Sequence, residues 1–284
     1  MKQENILIIG SNGQLGTALK LQYPGARAVD YQELDITNTK QLAEYDWSNI
    51  THIINAAAYT NVDGAETPEG RVAAWKINAV GVANLVKTAT ENNITLVHIS
   101  SDYVYDGTQS LHNENEPYSP LSVYGASKAA GDICTQTHVK HYILRTSWVI
   151  GEGKNFDRTM IELAEKNISP TVVSDQIGRL TFTKELVRAI DHLLTTNQPF
   201  GTYNVTNEGE TVSWAQITRQ IFKLLGRDDL TVTDITTKDY FAGKDGIAPR
   251  PLQSSLDLTK IQSTGFKSSD WKIELEEYIK GESS

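Results

Sequence analysis

The stretch Ile6-Leu-Ile-Ile-Gly10-Ser-Asn-Gly13-Gln-Leu-Gly16 decides the fold. An unbroken apolar run enters a turn of three glycines spaced Gly-x-x-Gly-x-x-Gly, and a helical pattern follows at once. In that setting the glycines read as the turn of a dinucleotide site. They permit a tight bend, let the backbone approach a pyrophosphate and let the helix pack closely on the strand. The helix start offers unpaired N–H groups and a partial positive charge to the phosphates. Gly10, Asn12, Gly13, Gln14, Leu15 and Gly16 are therefore expected to hold a nucleotide cofactor, with an ordinary strand-to-helix turn as the plainer alternative.

Apolar, β-favouring runs recur at residues 26–29, 52–54, 96–99 and 142–144, with helical patterns between them. Such alternation signals an α/β fold with a Rossmann-type, doubly wound parallel sheet. The runs are continuous rather than alternating, as expected when helices cover both faces of the sheet. After Gly151 the pattern loosens. Helices are expected at 157–166, 183–195, 213–225 and 271–280, and short strands near Thr171 and Tyr203. The expected division is a dinucleotide-binding domain over 1–150 and a smaller α/β substrate lobe over 151–284, some of whose segments pack back on the first domain.

The chain has 284 residues and a net charge of −9, which opposes a general nucleic-acid or anionic-membrane surface while leaving room for a local phosphate pocket. No apolar run is long enough to span a bilayer. The start of the chain has no signal-peptide pattern, and Cys134, the lone cysteine, excludes an intrachain disulfide framework. The expectation is a cytoplasmic protein. No metal site is expected, since His138-x-x-His141 lacks a third ligand nearby.

Tyr124-Gly-Ala-Ser-Lys128 follows a strand-end segment, Ser100-Ser-Asp-Tyr-Val-Tyr-Asp-Gly107. Spacing i,i+4 puts a phenol and an ammonium on one helix face. A phenol titrates near 10, and bringing it about three units closer to neutrality takes roughly 4 kcal/mol. An ammonium about 4 Å away at an effective dielectric of 20 supplies that amount. The pair reads as a carbonyl-reduction site with Tyr124 as acid and Lys128 as its tuner. Spacing alone is weak, because Tyr240-Phe-Ala-Gly-Lys244 repeats it. Position behind a glycine turn distinguishes the first copy.

Ser101 and Asp102 stand at the carboxyl end of the fourth strand, where open α/β sheets bind ligands. Ser101 would hydrogen-bond a ketone oxygen as charge develops, or serve as a turn serine. Asp30, at the end of the second strand, is placed to accept hydrogen bonds from an adenosine ribose and by itself favours NAD(H); a solvated strand-end aspartate is the alternative. Leu34, Asp35 and Ile36 are placed against the adenine, with a charged turn residue as the alternative reading of Asp35. Ala56, Ala57 and Ala58 leave room for a cofactor, or serve packing. Asn78, a poor helix former, belongs to a buried network or an exposed face.

The glycine turn together with Tyr124-x-x-x-Lys128 resembles the extended short-chain dehydrogenases/reductases. More narrowly, Asn55-Ala-Ala-Ala-Tyr-Thr-Asn-Val-Asp63, Val123-Tyr-Gly125, Arg145-Thr-Ser-Trp148, Asp175-Gln-Ile-Gly178 and Arg250-Pro251 with Ser255-Leu-Asp257 resemble the dTDP-4-dehydrorhamnose reductase family over nearly the whole chain. The resemblance implies hydride transfer from NADP(H), with NAD(H) as the alternative, to the C4 ketone of dTDP-4-dehydro-6-deoxy-L-mannose, giving dTDP-L-rhamnose. It implies Tyr124 as proton donor, Lys128 as tyrosine activator and nicotinamide-ribose ligand, and Asn78 as part of the cofactor site. Ser101 assists at the carbonyl, and Asp102, Tyr103, Trp148 and Arg250 contact the dTDP-sugar. A homodimer stays open. Two departures stand out: Ser101 where relatives commonly have threonine, and Arg179-Leu180 where they usually have a small residue and proline. Rival readings are a reductase or epimerase for another nucleotide sugar, a plain NAD(P)-binding redox sensor, and a non-catalytic regulatory subunit resembling the β subunit of methionine adenosyltransferase.

Overall fold

The computed structural model describes residues 2–282. Its first half runs β1 (Ile6–Ile9), α1 (Gln14–Gln22), β2 (Arg27–Val29), α2 (Thr39–Glu44), β3 (His52–Asn55), α3 (Pro68–Trp75), α4 (Val82–Glu91), β4 (Thr95–Ser101), α5 (Val123–Gln136) and β5 (His141–Thr146). A π-helical segment, Lys76–Gly81, joins α3 to α4. The second half adds β6 (Val149–Ile150), α6 (Phe156–Glu165), β7 (Thr171–Val173), β8 (Ile177–Gly178), β9 (Thr181–Phe182), α7 (Thr183–Thr195) and β10 (Gly201–Asn204). It ends with β11 (Val212–Ser213), α8 (Trp214–Leu224), β12 (Thr233–Ile235), α9 (Thr237–Tyr240), α10 (Thr259–Ser263) and α11 (Trp271–Glu282).

Six strands form the central sheet in the order β2-β1-β3-β4-β5-β10, every pair parallel. Alternate residues of β1 show why its sequence is apolar throughout. Ile6 and Ile8 join Leu15 and Leu19 of α1 on one face, whereas Leu7 and Ile9 join Val82, Leu85 and Val86 of α4 on the other. Parallel strands bring their carboxyl ends to one edge, so that Ile9 pairs with Asn55 and Ser101 with Thr146. That edge, where the strand order reverses between β1 and β3, is where such sheets bind ligands.

The second half divides its work. Leu186, Val187 and Ile190 of α7 pack in the same cluster as α1, and β10 lies along β5, covering what would be an open sheet edge. The sixth strand of the central sheet thus comes from residues 201–204. A separate cluster, built from Met160, Ile161, Phe182, Ile217, Trp271 and Leu275, holds the remaining segments together. Capping marks the helix starts. Ser122 and Asn155 each accept an N–H of the following turn, and Ser213 with Gln216 forms a full capping box. Among the described residues no helix is long and apolar enough to cross a membrane.

Asp157, in the first turn of α6, is fully buried, and neither of its carboxyl oxygens has a hydrogen-bond partner. Burial pushes the acid up to about 8. Its unfolded counterpart titrates near 4, so the stability linked to its neutral form is complete below about pH 4 and is lost as the pH rises to 8. Asp157→Asn should therefore raise the melting temperature by roughly 5 °C or more at pH 8 and change little at pH 4. Equal melting curves for the two proteins at pH 8 would refute this account of the residue.

Candidate active site

The glycine turn is shaped by contacts that only glycine tolerates. Gly10 has φ +78°, and a Cβ on it would lie 2.5 Å from the Ala57 nitrogen. A Cβ on Gly16 would lie 2.2 Å from the Gly10 carbonyl oxygen. Gly13 differs, because its nearest neighbour would be 3.6 Å away, an ordinary contact. The room above Gly13 is therefore not required by the chain's own packing and faces a pocket. Gly13 is also the N-cap of α1, with no side chain capping it, which leaves the helix start available to a phosphate.

Two connected pockets run along the carboxyl edge of the sheet, with volumes of about 480 and 450 Å³. Gly13, Ala56 and Ala58 line both. Gly10, Asp30, Asp35, Ile36 and Ala57 line the first. Gln14, Leu15, Ser101, Asp102 and Tyr103 line the second, facing Tyr124, Lys128 and Trp148. Two polar atoms of this second wall, Gln14 Oε1 and Thr146 Oγ1, have no partner within the protein. Buried polar groups in that state are poised for a ligand that can complete their hydrogen bonds. The small-residue floor, open Gly13 and uncapped helix start fit a dinucleotide.

Asp30 holds the turn from below. Its Oδ2 accepts from the Asn12 amide at 3.0 Å and its Oδ1 from the Tyr31 amide at 2.8 Å. Tyr124 and Lys128 stand on α5, with Ser101 at the end of β4. Burial pushes the Tyr124 phenol up to about 12, and contact with the Ser101 hydroxyl opposes this. The Lys128 ammonium donates to the Ile99 carbonyl at 2.6 Å. The expected acidification of Tyr124 by Lys128 is not expressed here, because burial dominates the phenol. Ser101 Oγ donates to Asp102 Oδ1 at 3.0 Å and accepts from the Tyr103 amide at 3.2 Å. Burial raises the Asp102 carboxyl to about 6, against hydrogen bonds from Ser254 and Ser101. Trp148 has φ +47°, an unusual conformation for a bulky residue. Its ring stacks on Trp214 at 3.8 Å, and a Cβ on Gly178 would crowd it at 2.9 Å.

Four expected residues stand elsewhere. Asn12 contributes its amide to Asp30 while its side chain lies at the surface near Lys20. Gly16 is buried beneath the turn, where it permits helix packing and lines neither pocket. Asn78 lies behind the wall in the π-helical segment. Its amide donates to the Tyr59 carbonyl and the Ser127 hydroxyl and accepts from the Tyr59 amide, so it props the loop after β3. Arg250 is paired with Asp63 at 2.9 Å, donates to the Ala248 carbonyl and lies over the Phe241 ring. It lines neither pocket.

Sequence reasoning missed Tyr31 and Lys76 in the first pocket and Thr60, Thr146 and Leu186 in the second. Thr146 was accessible to the strand-end rule that found Ser101. Leu186 reaches the site only through the docking of α7. Tyr240 and Lys244, the second copy of the spacing, make a cation–π contact with each other at 4.2 Å away from both pockets. The rings of His138 and His141 are committed to hydrogen bonds with Thr90, the Ile94 carbonyl and the His138 carbonyl. Arg179 is half-buried and donates to the Leu256 carbonyl, tying its loop to the segment after Arg250.

The family model described as the RmlD substrate binding domain matches residues 4–283. A dTDP-4-dehydrorhamnose reductase of Aggregatibacter actinomycetemcomitans is 40% identical, with 94% of this chain and 95% of that protein covered. The crystal structure of a dTDP-4-dehydrorhamnose reductase from Clostridium acetobutylicum superposes with a TM-score of 0.89 at 35% identity, covering 98% of this chain and 99% of the other. A second, from Bacillus anthracis and in complex with NADP, gives 0.88 at 34% identity, covering 96% and 98%. On its glycine turn, its reductase-type pocket and these likenesses over nearly its full length, the chain belongs to the RmlD substrate-binding family of dTDP-4-dehydrorhamnose reductases.

Proposed function

We propose that the chain reduces the C4 ketone of dTDP-4-dehydrorhamnose to dTDP-L-rhamnose at the expense of NADP(H), with NAD(H) as a second donor. The convergence of Ser101, Tyr124 and Lys128 on one wall of a pocket continuous with the glycine turn carries this reading. The bound cofactor supplies the hydride. The chain's own residues handle the proton and the charge. A phenol at about 12 is fully protonated near neutrality, the form a proton donor needs. The alkoxide produced at C4 is a stronger base than a phenolate, so the transfer from Tyr124 runs downhill. Ser101 turns its hydroxyl from Asp102 towards the developing oxyanion. Lys128, which uses one N–H on the Ile99 carbonyl, offers its remaining donors to the cofactor ribose.

Asp102, Tyr103 and Trp148 would line the sugar end. Arg250 would meet the diphosphate only by exchanging Asp63 for a phosphate oxygen, since the two now form a salt bridge. Asp30 favours a free ribose hydroxyl, whereas Lys76 in the same pocket favours a 2′-phosphate. NADP bound to the Bacillus anthracis relative supports the latter. The protein is proposed to act in the cytoplasm without nucleic acid or membrane. It is also proposed to form a homodimer through the exposed apolar side chains Val72 and Trp75 of α3 and Ile133 of α5. Sedimentation equilibrium should then give twice the chain mass, and a monomer at micromolar concentration would refute the dimer.

Tyr124→Phe should lower turnover of dTDP-4-dehydrorhamnose by about three orders of magnitude while cofactor affinity stays within a factor of about two. Turnover at the wild-type rate would remove Tyr124 from the mechanism. Gly13→Ala should fold normally, because its Cβ has room, yet bind NADPH at least about tenfold more weakly through the lost close approach. Gly10→Ala should instead lower the melting temperature. Calorimetric titration and thermal melts of the two variants separate these roles, and unchanged NADPH affinity in Gly13→Ala would place the pyrophosphate elsewhere.

A further inference from the structure

Behind Lys128 lies a buried charge cluster that the proposed reaction leaves without a task. Asp132 stands one helical turn beyond Lys128 on α5 and is fully buried. Its Oδ2 accepts from Arg145 Nε of β5 at 3.0 Å. Arg145 is itself fixed, donating to the Tyr105 hydroxyl at 2.6 Å and the Glu114 carbonyl at 3.2 Å, with the Tyr118 ring 4.8 Å from its guanidinium carbon. Asp132 Oδ1 has no hydrogen-bond partner. His98 Nε2 of β4 lies 3.9 Å from it and has none either. One carboxylate therefore stands between two basic side chains, of which Arg145 alone bonds to it.

We propose that Asp132 is a positioning residue for the reduction: one turn from Lys128 on the same buried face of α5, its carboxylate supplies the counter-charge of the lysine while Arg145 locks it in place. The proposal rests on the reductase reading for its consequence in turnover, though not for its effect on Lys128. The charges around the cluster favour it. Burial and the neighbouring Lys128 keep His98 neutral, so it adds no competing cation. Burial pushes the Asp132 carboxyl up, and Arg145, Ser100 and Lys128 pull it back. A guanidinium bonded at 3.0 Å keeps the acid ionised. Burial raises Tyr118 and Tyr124 and lowers His141, the other titratable groups that feel the Asp132 charge, and that charge pushes each of them upward. Burial lowers Lys128 to about 8, and the Asp132 charge opposes that fall. Below that pH the lysine is an ammonium with donors for the ribose, and above it the charge is lost. Without the carboxylate the same burial would discharge the lysine at a lower pH.

Asp132→Asn preserves shape and an acceptor for Arg145 while deleting the charge. The alkaline limb of kcat/KM, expected near pH 8 in the wild type, should move down by about one pH unit or more. Activity should approach wild type again near pH 6, and Asp132→Glu should restore the limb. NADPH binding followed by dihydronicotinamide fluorescence, without any sugar, should show the same displacement. This second readout separates the two claims. If the wild type turns over no dTDP-sugar but the binding limb still moves, the substrate assignment fails and the role of Asp132 stands. A variant that loses activity equally at every pH, with both limbs unmoved, makes Asp132 a purely structural residue and overturns the proposal. Asp132→Ser, which deletes the charge in a smaller side chain, serves as the same test if Asp132→Asn does not fold.

Discussion

Everything at the site depends on how closely the backbone of the glycine turn presses against the loop after β3. Gly10 meets the Ala57 backbone at a distance no Cβ could occupy, and Gly16 meets Gly10 in the same way. Those contacts bring α1 down onto the sheet edge with its uncapped start facing outward. Gly13 then becomes the one glycine of the turn whose freedom is unused by the fold, and the space above it runs from one pocket to the other. Asp30 completes the arrangement by accepting two amides of the neighbouring backbone.

The reactive groups come from elements far apart in sequence that end on the same edge. Parallel pairing sets Ser101 beside Thr146, and α5 lays Tyr124 and Lys128 across that end. Burial then acts differently on each group. It raises Tyr124, so the phenol holds its proton, and lowers Lys128, so the lysine keeps its charge only with help from a nearby anion. One low-dielectric wall thus favours a neutral donor, while the buried Asp132–Arg145 pair behind it lets a cation persist in the same wall.

Much of the fold was legible because its signals are local. The continuous run at Ile6–Ile9 marks the first strand of the sheet, and the expected helix at 183–195 matches α7 residue for residue. What stayed hidden was partnership. Nothing near Tyr203 says that its strand completes the first sheet, because that depends on an open edge on β5, about sixty residues earlier. Asn78 looks in sequence like a candidate ligand, yet its amide is fully used by Tyr59 and Ser127. Arg250 likewise has the chemistry of a phosphate clamp, but Asp63, brought near only by folding, has claimed it. Spacing reveals which faces side chains share, not which partners they find.

The central claim is that hydride arrives at C4 of a dTDP-linked 4-keto sugar held between Tyr124 and Ser101. Reduction with NADPH carrying deuterium at the transferable C4 position, followed by NMR of the sugar product, tests it most directly. The account predicts one deuterium at C4 of dTDP-L-rhamnose, in the configuration of a single-face transfer. Deuterium at another carbon, or cofactor oxidation without a C4-labelled sugar, would contradict it.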